Sequence, residues 1–213
     1  MIDERIERYA AEHSTPPAEL FARLSAETHA THEAPQMMVG PLEGAFLAFV
    51  VHLKQARRVL EIGTFTGWSS IAMAAALPPG GTIVSCDVNE ETTAIARRYA
   101  EEAGVADRID YRLGPALELL PELEGPFDLA FIDAWKHDYV AYYEAVLPLL
   151  ADDGVILADN TLADGRVLDP GDSPTAVAIA HFNEHVRADP RVECVLLTIR
   201  DGVTLIRKRP SPA

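Results

Sequence analysis

The chain has 213 residues, of which 48% are hydrophobic, and these values predict one globular domain with a single continuous core. It carries 33 acidic and 18 basic residues, which gives a formal net charge of −15. A protein this acidic repels phosphate backbones and anionic lipid headgroups, and the sequence has no lysine or arginine block that would act as a local exception. Nucleic-acid and membrane partners are therefore disfavoured.

The first eight residues, MIDERIER, carry charge throughout and lack the apolar stretch of a signal peptide. The longest uninterrupted apolar run, residues 45–51, is much shorter than the roughly 20 residues that cross a bilayer. These features predict a cytoplasmic protein. Cys86 and Cys194 lie in apolar, strand-like runs, so we expect two reduced, buried thiols that pack as small hydrophobic side chains.

The predicted elements change in character along the chain. Residues 1–55 are predicted to form helices without strands, interrupted at Pro16, Pro17 and Pro35. From residue 57 onward, short β-branched runs alternate with longer amphipathic stretches. Strands are predicted at 58–62, 82–87, 108–113, 127–133, 154–159, 192–198 and 202–206, and helices at 69–76, 90–103, 134–149 and 175–188. Asn89 is a plausible N-cap for the helix at 90–103, and Gly104 is a typical stop after it.

This alternation predicts an α/β fold with a Rossmann-like, doubly wound, mostly parallel sheet of seven strands. Asp201 and Gly202 form a hairpin signal between the last two strands, so an antiparallel strand is expected at the C-terminal end of the sheet. We expect a single domain over residues 1–213, in which 1–55 form a helical lid and dimer region and 56–209 form the Rossmann-like core.

A glycine turn follows the first predicted strand, in residues 59–69, VLEIGTFTGWS. Gly63 and Gly67 are four residues apart, and Phe65 stands where a dinucleotide fingerprint has its middle glycine, so a pyrophosphate ligand is disfavoured. Glu61 would repel a phosphate but attract an ammonium or sulfonium group. Asp87, at the end of the second strand, is placed to bind ribose hydroxyls. Taken singly, these residues also fit a plain turn and a solvated strand end; together they favour S-adenosylmethionine.

Acidic residues also follow the fourth and fifth predicted strands. Asp133 closes one strand, and Asp159 with Asn160 closes the other. Because parallel strands end at the same edge of a sheet, we expect these three side chains to converge there. Two carboxylates and an amide oxygen suit a hard cation such as Mg²⁺, with Ca²⁺ or Mn²⁺ as other choices. The alternative, that the aspartates are helix N-caps, would explain one of them but not both.

The glycine turn resembles motif I of class I methyltransferases, and the chain from about Pro35 to Arg209 is similar to the caffeoyl-CoA and catechol O-methyltransferase family. The resemblance implies methyl transfer from S-adenosylmethionine to one hydroxyl of a small aromatic vicinal diol, by a homodimer. Residues 37–40, MMVG, and Glu43 with Gly44 resemble the family's cofactor lid. The cofactor-binding residues that we predict are Val39, Glu61, Gly63, Thr64, Ser69, Asp87, Ala116, Asp133 and Trp135.

The same resemblance carries the metal role to Asp133, Asp159 and Asn160, and assigns catalytic roles to Asp133 and to Lys136, the proposed base. Trp135 stands where plant-type members have the second aspartate of Asp-Ala-Asp-Lys, and catechol-type members have a tryptophan there, which weakens a coenzyme A thioester as acceptor. Lys136 also fits a solvated lysine near a helix start. Trp135 fits either stacking on the adenine or the acceptor, or buried packing.

Other functions remain open from sequence alone. Residues 181–185, HFNEH, match a metalloprotease pattern, although a polar helix face explains them more simply. A nicotinamide-dependent oxidoreductase conflicts with the glycine spacing. A catalytically silent S-adenosylmethionine-binding protein and a methyltransferase acting on a hydroxycinnamoyl-CoA thioester both agree with the motifs.

Overall fold

The computed structural model describes residues 4–210, and the contacts within the chain divide it into one unit that ends at Pro115 and another that begins at Ala116. In the first unit the elements are α1 (Glu4–Glu12), α2 (Glu19–Thr31), α3 (Gly40–Lys54), β1 (Arg58–Ile62), α4 (Trp68–Ala76), β2 (Thr82–Asp87), α5 (Glu90–Glu102) and β3 (Ile109–Leu113). In the second they are α6 (Ala116–Leu119), β4 (Phe127–Ile132), α7 (Tyr139–Val146), β5 (Leu150–Ala158), α8 (Pro174–Ala188), β6 (Val192–Leu197) and β7 (Val203–Lys208).

The strands form the mostly parallel, seven-stranded sheet that the sequence predicts. In the first unit β2 lies between β1 and β3, and all three strands are parallel. In the second unit β4 and β5 are parallel, whereas β7 runs antiparallel to both β5 and β6. The antiparallel strand therefore comes at the C-terminal end of the sheet, as the hairpin signal indicates.

Burial follows from the position of each strand. Leu60 of β1 and Leu129, Ala130 and Phe131 of β4 are fully buried, as expected for parallel strands that are covered on both faces. At the sheet edge, four of the six residues of β6 are exposed. Cys194 lies among them, so the prediction of two buried thiols is right for Cys86 and wrong for Cys194, because an edge strand leaves its side chains uncovered.

Helix ends match the local signals. The Asn89 side chain accepts hydrogen bonds from the backbone N–H groups of Glu91 and Thr92 at the start of α5. Gly104 follows that helix with a φ of 69°, a conformation that glycine adopts without strain. The structure therefore confirms both the N-cap and the stop that the sequence predicts.

Two predicted boundaries are wrong. The helix expected at 134–149 is broken into a 3₁₀ turn at Lys136–Asp138, the two-turn helix α7, and a second 3₁₀ turn at Leu147–Leu149. Pro148 at the start of the last turn removes a backbone donor and favours the change. Strand β5 begins at Leu150, which pairs with Phe127, rather than at residue 154; the register then shifts, and regular pairing resumes at Val155.

The segment Pro35–Lys54 is long and apolar enough, by length and composition alone, to cross a membrane. It contains α3, which packs against α4 and buries Glu43, Gly44, Leu47 and Val51. A Cβ on Gly44 would lie 2.5 Å from Nε1 of Trp68, so the glycine allows close packing there. One side of this helix is thus buried within the fold, whereas Phe49 and Leu53 remain exposed.

The HFNEH segment lies on α8, where its polar residues make structural ion pairs. His185 Nε2 lies 2.8 Å from Glu144 Oε1, and Glu184 pairs with Arg187 at 2.5 Å. Arg191 binds the same Glu144 carboxylate. His185 thus joins α8 to α7, and Glu184 pairs within its own helix. The described residues hold no metal-suited group of His, Cys, Asp or Glu side chains, so the metalloprotease interpretation has no support.

Candidate active site

The turn after β1 has the left-handed backbone that its glycines permit. Gly63 has a φ of 100°, Phe65 a φ of 50° and Gly67 a φ of 94°. A Cβ on Gly67 would lie 2.6 Å from Cβ of Ala96 on α5, closer than such atoms approach in proteins. Gly67 is therefore needed both for its backbone conformation and for the close approach of the turn to α5.

Asp87, at the end of β2, holds this turn through its carboxylate. Oδ2 accepts hydrogen bonds of 2.8 Å from the backbone N–H groups of both Thr64 and Phe65, and Oδ1 accepts one of 2.8 Å from Asn89 N. A carboxylate offers about four acceptor sites, so Oδ1 keeps capacity for a further donor such as a ribose hydroxyl. The residue predicted to bind the cofactor thus also shapes the loop that would surround it.

Glu61 is fully buried at the centre of β1 and lies in a chain of polar contacts. Ser85, its partner across the β1–β2 ladder, donates a hydrogen bond to Glu61 Oε2, and Ser85 Oγ lies 2.5 Å from Thr64 Oγ1. Sequence reasoning missed Ser85. The available signal was a hydroxyl residue within the otherwise apolar residues 83–86, two positions before Asp87.

Helix α2 also contacts the turn. Thr28, fully buried, donates a hydrogen bond of 3.1 Å to Thr66 Oγ1, and the His32 ring packs edge-on against Phe65 with ring centres 4.7 Å apart. Nothing in the local sequence of α2 marks these residues as part of the site, because the contacts join positions more than 30 residues apart. The N-terminal helices therefore support the cofactor turn directly.

The other predicted cofactor residues lie at helix starts. Val39 immediately precedes α3, and Ser69 is the second residue of α4. These two residues are 5% and 4% exposed. Ala116, the first residue of α6, is 8% exposed. In the first unit, a carboxylate for a ribose, a buried carboxylate for a positive group and small side chains at the starts of α3 and α4 fit an adenosine-containing sulfonium ligand.

The acidic residues of the second unit lie at adjacent strand ends. Ile132 pairs with Ala158 in the β4–β5 ladder, and Asp133 and Asp159 come directly after these two residues. The Asp159 N–H donates a hydrogen bond of 3.0 Å to the Ile132 carbonyl, which continues the pairing by one step. Asp133 and Asp159 therefore follow two neighbouring strands at the same level, which is the backbone placement that the sequence predicts.

Lys136 and Tyr139 connect these strand ends. Lys136 Nζ donates hydrogen bonds to Asp133 Oδ1 at 2.7 Å and to Tyr139 Oη at 2.8 Å. The Tyr139 hydroxyl in turn donates to the Asp159 carbonyl at 3.1 Å, and the whole residue is buried. Sequence reasoning missed Tyr139, although its spacing three residues after Lys136, itself three after Asp133, was a usable signal.

This environment perturbs two pKa values. Burial lowers the pKa of Lys136, but the neighbouring Asp133 carboxylate and Tyr139 raise it by more, so the pKa lies above its usual range. Burial also raises the pKa of Tyr139 well above that of a free phenol, despite the opposing charge of Lys136. The Asp133–Lys136 contact is thus a charge-assisted bond that only a strong competitor for the carboxylate would weaken.

Asn160 completes the candidate metal-ligand set. Its φ is 55°, and its backbone N–H donates a hydrogen bond of 2.6 Å to Asp159 Oδ1. Between residues 4 and 210 there is no group of three or more His, Cys, Asp or Glu side chains suited to a metal. The candidate set therefore consists of two carboxylates and this amide. Oxygen-only donors of this kind match Mg²⁺, Ca²⁺ or Mn²⁺ rather than a softer metal.

Trp135 is 66% exposed, and its ring lies 5.1 Å from the ring of His137. Its alternative interpretation as a buried packing residue is therefore wrong. An indole face held at the surface beside Asp133 and Lys136 is available to a planar ligand.

We expect the change Thr28→Val to weaken S-adenosylhomocysteine binding about fivefold, because it removes a hydrogen bond worth about 1 kcal/mol that holds Thr66 in the turn. Isothermal titration measures the change. Thr31→Val is the matched control, since Thr31 bonds only to its own helix at Glu27 in the described contacts. Equal affinities for the two variants would show that α2 does not stabilise the turn.

Comparison with known proteins agrees with this site. A model of the O-methyltransferase family matches residues 11–209. Caffeoyl-CoA O-methyltransferase 1 of Eucalyptus globulus is 38% identical over 194 residues, which cover 85% of this chain and 79% of that protein.

Two solved structures are also similar. The O-methyltransferase from Bacillus cereus in complex with S-adenosylhomocysteine has a TM-score of 0.89 and 32% identity, covering 96% of this chain and 97% of that one. The O-methyltransferase TomG from Streptomyces achromogenes, in complex with S-adenosylmethionine, has a TM-score of 0.89 and 30% identity, covering 99% and 100%. The chain therefore belongs to the S-adenosylmethionine-dependent O-methyltransferase family.

Proposed function

We propose that this O-methyltransferase acts on one hydroxyl of a catechol-type aromatic vicinal diol, with the help of a divalent cation. The observation that carries the proposal is that Asp133, and Asp159 with Asn160, directly follow the paired strands β4 and β5, where Lys136 binds Asp133. Carboxylate and amide oxygens bind hard cations, and neighbouring phenol oxygens are ligands of the same kind.

The reaction balances as a direct displacement. S-adenosylmethionine supplies an electrophilic methyl group on its sulfonium. As the acceptor oxygen forms its bond to the methyl carbon, the carbon–sulfur bond breaks, and its electron pair stays on the sulfur of S-adenosylhomocysteine. The hydroxyl proton goes to Lys136 Nζ. A divalent cation held by Asp133, Asp159 and Asn160 would lower the pKa of the acceptor hydroxyl and restrict its orientation.

Lys136 has to be neutral before it accepts the proton. Burial favours the neutral amine, whereas Asp133 favours the ammonium form. Any positive charge that shares the Asp133 carboxylate weakens the preference of Lys136 for its ammonium form. Tyr139 holds Nζ in place through the 2.8 Å contact. The Asp133 carboxylate and the Tyr139 hydroxyl therefore direct the amine in either protonation state.

The cofactor residues have distinct proposed roles. Glu61 attracts the positive part of S-adenosylmethionine through its buried charge, and Asp87 accepts hydrogen bonds from the ribose. Gly63 and Thr64 bring the backbone of the turn close to the ligand. Trp135 stacks on either the adenine or the aromatic acceptor, since its exposed face is available to both.

A second candidate acceptor is a hydroxycinnamoyl-CoA thioester. The 38% identical relative from Eucalyptus globulus is named a caffeoyl-CoA O-methyltransferase, which favours this acceptor. Trp135 in place of the plant-type aspartate favours a free catechol. A homodimer and a cytoplasmic location stay predictions, the first from the family resemblance and the second from the charge and the N-terminal sequence.

The metal role predicts that Asp159→Ala, or excess EDTA, abolishes turnover but leaves S-adenosylhomocysteine affinity within a few-fold, because the cofactor turn is held by contacts of the first unit. Asp152→Ala is the control, since Asp152 is an exposed aspartate of β5, the strand that Asp159 follows. Titration calorimetry and a methyl-transfer assay provide the two measurements. Full activity in excess EDTA would reject the metal assignment.

The base role predicts that Lys136→Ala lowers kcat by roughly 10² to 10⁴, with a smaller change in KM. Lys136→Arg separates two explanations, because a guanidinium keeps the positive charge but does not lose its proton. We expect this variant to be as impaired as the alanine variant. If arginine restores activity, the charge of Lys136 matters and its basicity does not; a loss below threefold in both variants rejects a catalytic role for Lys136.

The acceptor class predicts one methylation of a vicinal diol and little reaction of the matching monophenol. Two neighbouring oxygens fix the ring relative to a cation, whereas a single oxygen leaves it free to rotate. The experiment compares kcat/KM for a catechol, its monohydroxy analogue, its methyl ether and caffeoyl-CoA with Mg²⁺ present. Comparable values for catechol and monophenol contradict the chelated-diol model. A strong preference for the thioester selects the second candidate, and no turnover of any phenol indicates a silent binding protein.

A further inference from the structure

The segment after β5, residues 160–165, has an unusual backbone. Asn160 has a φ of 55°, Ala163 a φ of 47°, Asp164 a φ of 56° and Gly165 a φ of 78°. Left-handed conformations are uncommon for residues other than glycine and persist where surrounding contacts enforce them. The segment begins at a proposed metal ligand, so the contacts that enforce its shape bear directly on the acceptor side of the reaction.

The turn between β6 and β7 supplies one set of these contacts. The Thr161 N–H donates to the Gly202 carbonyl at 3.0 Å, and the Leu162 N–H donates to the Asp201 carbonyl at 2.8 Å. The Asp164 N–H donates to the Asp201 side chain, at Oδ1, over 2.6 Å. A hairpin almost 40 residues further along the chain thus accepts three hydrogen bonds from the segment.

Gly202 makes this contact sterically possible. Its φ is 89°, and a Cβ there would lie 2.6 Å from Cγ and 3.0 Å from N of Leu162. The hairpin glycine that the sequence marks as a turn residue is therefore also a point of close approach between the turn and the segment.

Helix α8 and strand β7 hold the same segment at Thr161. The Asn183 side chain donates a hydrogen bond of 2.7 Å to the Thr161 carbonyl, and the Thr204 hydroxyl donates one of 3.0 Å to Thr161 Oγ1. Together with the bond to Gly202, three atoms of the buried residue Thr161 are fixed by three different elements. Thr161 directly follows Asn160, so these bonds restrict the peptide that carries the proposed ligand.

We propose that Asp201 and Asn183 are positioning residues for the acceptor, which they orient by holding residues 160–165 in place. The inference rests on the proposed function, because it takes Asn160 and the loop after it to lie at the acceptor's binding site. Neither residue needs to touch the acceptor. Asp201 acts through the Asp164 N–H, and Asn183 acts through the Thr161 carbonyl.

The test compares Asp201→Ala, which removes the side-chain acceptor, with Asp201→Asn, which keeps an oxygen for the Asp164 N–H. Glu193→Ala is the control on the same hairpin, where Glu193 pairs with Arg207 at the surface. We expect Asp201→Ala to lower kcat/KM for the diol at least tenfold, Asp201→Asn to stay within about threefold of the unchanged protein, and Glu193→Ala to have no effect. Affinity for S-adenosylhomocysteine should stay within twofold in all three.

Hydrogen exchange gives a readout that does not depend on activity. The amides of Thr161, Leu162 and Asp164 should exchange faster in Asp201→Ala than in Asp201→Asn. If Asp201→Ala does not fold, Asn183→Ala removes the other anchor and should give the same kinetic pattern. Unchanged diol kinetics in a folded variant with faster exchange would overturn the inference, and so would equal impairment by alanine and asparagine. Absence of diol turnover by the unchanged protein would instead overturn the proposed function and this inference with it.

Discussion

A carboxylate at the end of a buried strand has to receive hydrogen-bond donors, and the rest of the site depends on how this chain provides them. Asp87 receives backbone N–H groups, so its charge folds the glycine turn around it. Asp133 receives an ammonium, and Asp159 receives the N–H of the next residue. Because an ionised group removed from water without partners is destabilising by several kcal/mol, these contacts stabilise the fold and also shape the site for the chemistry that we propose.

Left-handed backbone occurs at the same strand ends, and for a related reason. A chain that leaves a buried parallel strand has to reverse direction within a few residues while its N–H groups stay bonded. Gly63 and Gly67 achieve this within the glycine turn after β1 without strain. Asn160 and Asp164 do so within residues 160–165, the segment after β5, at some conformational cost. The glycine turn is therefore shaped largely by its own glycines and Asp87, whereas residues 160–165 depend more on contacts from other elements.

The amino-acid sequence was sufficient for the fold and for the residues that lie at strand ends. Strand periodicity and the glycine spacing are local signals, which is why Asp87, Asp133 and Asp159 could be assigned to positions in the sheet from sequence alone. Ser85 and Thr28 could not be assigned in this way, because the role of a buried hydroxyl depends on its hydrogen-bond partner on another element. The balance of effects on the pKa of Lys136 likewise required the distance to Asp133.

Charge also bears on the choice between acceptors. With a net charge of −15, the protein attracts a sulfonium cofactor and a divalent cation over long range, and both are positively charged. A coenzyme A tail carries several phosphates, which bind best to lysine or arginine side chains with donors to spare. In residues 133–166 of the second unit, Lys136 is engaged by Asp133 and Arg166 by Asp164. A coenzyme A thioester would have to separate such pairs or bind lysine and arginine side chains elsewhere. A small catechol needs neither, and this difference favours the catechol.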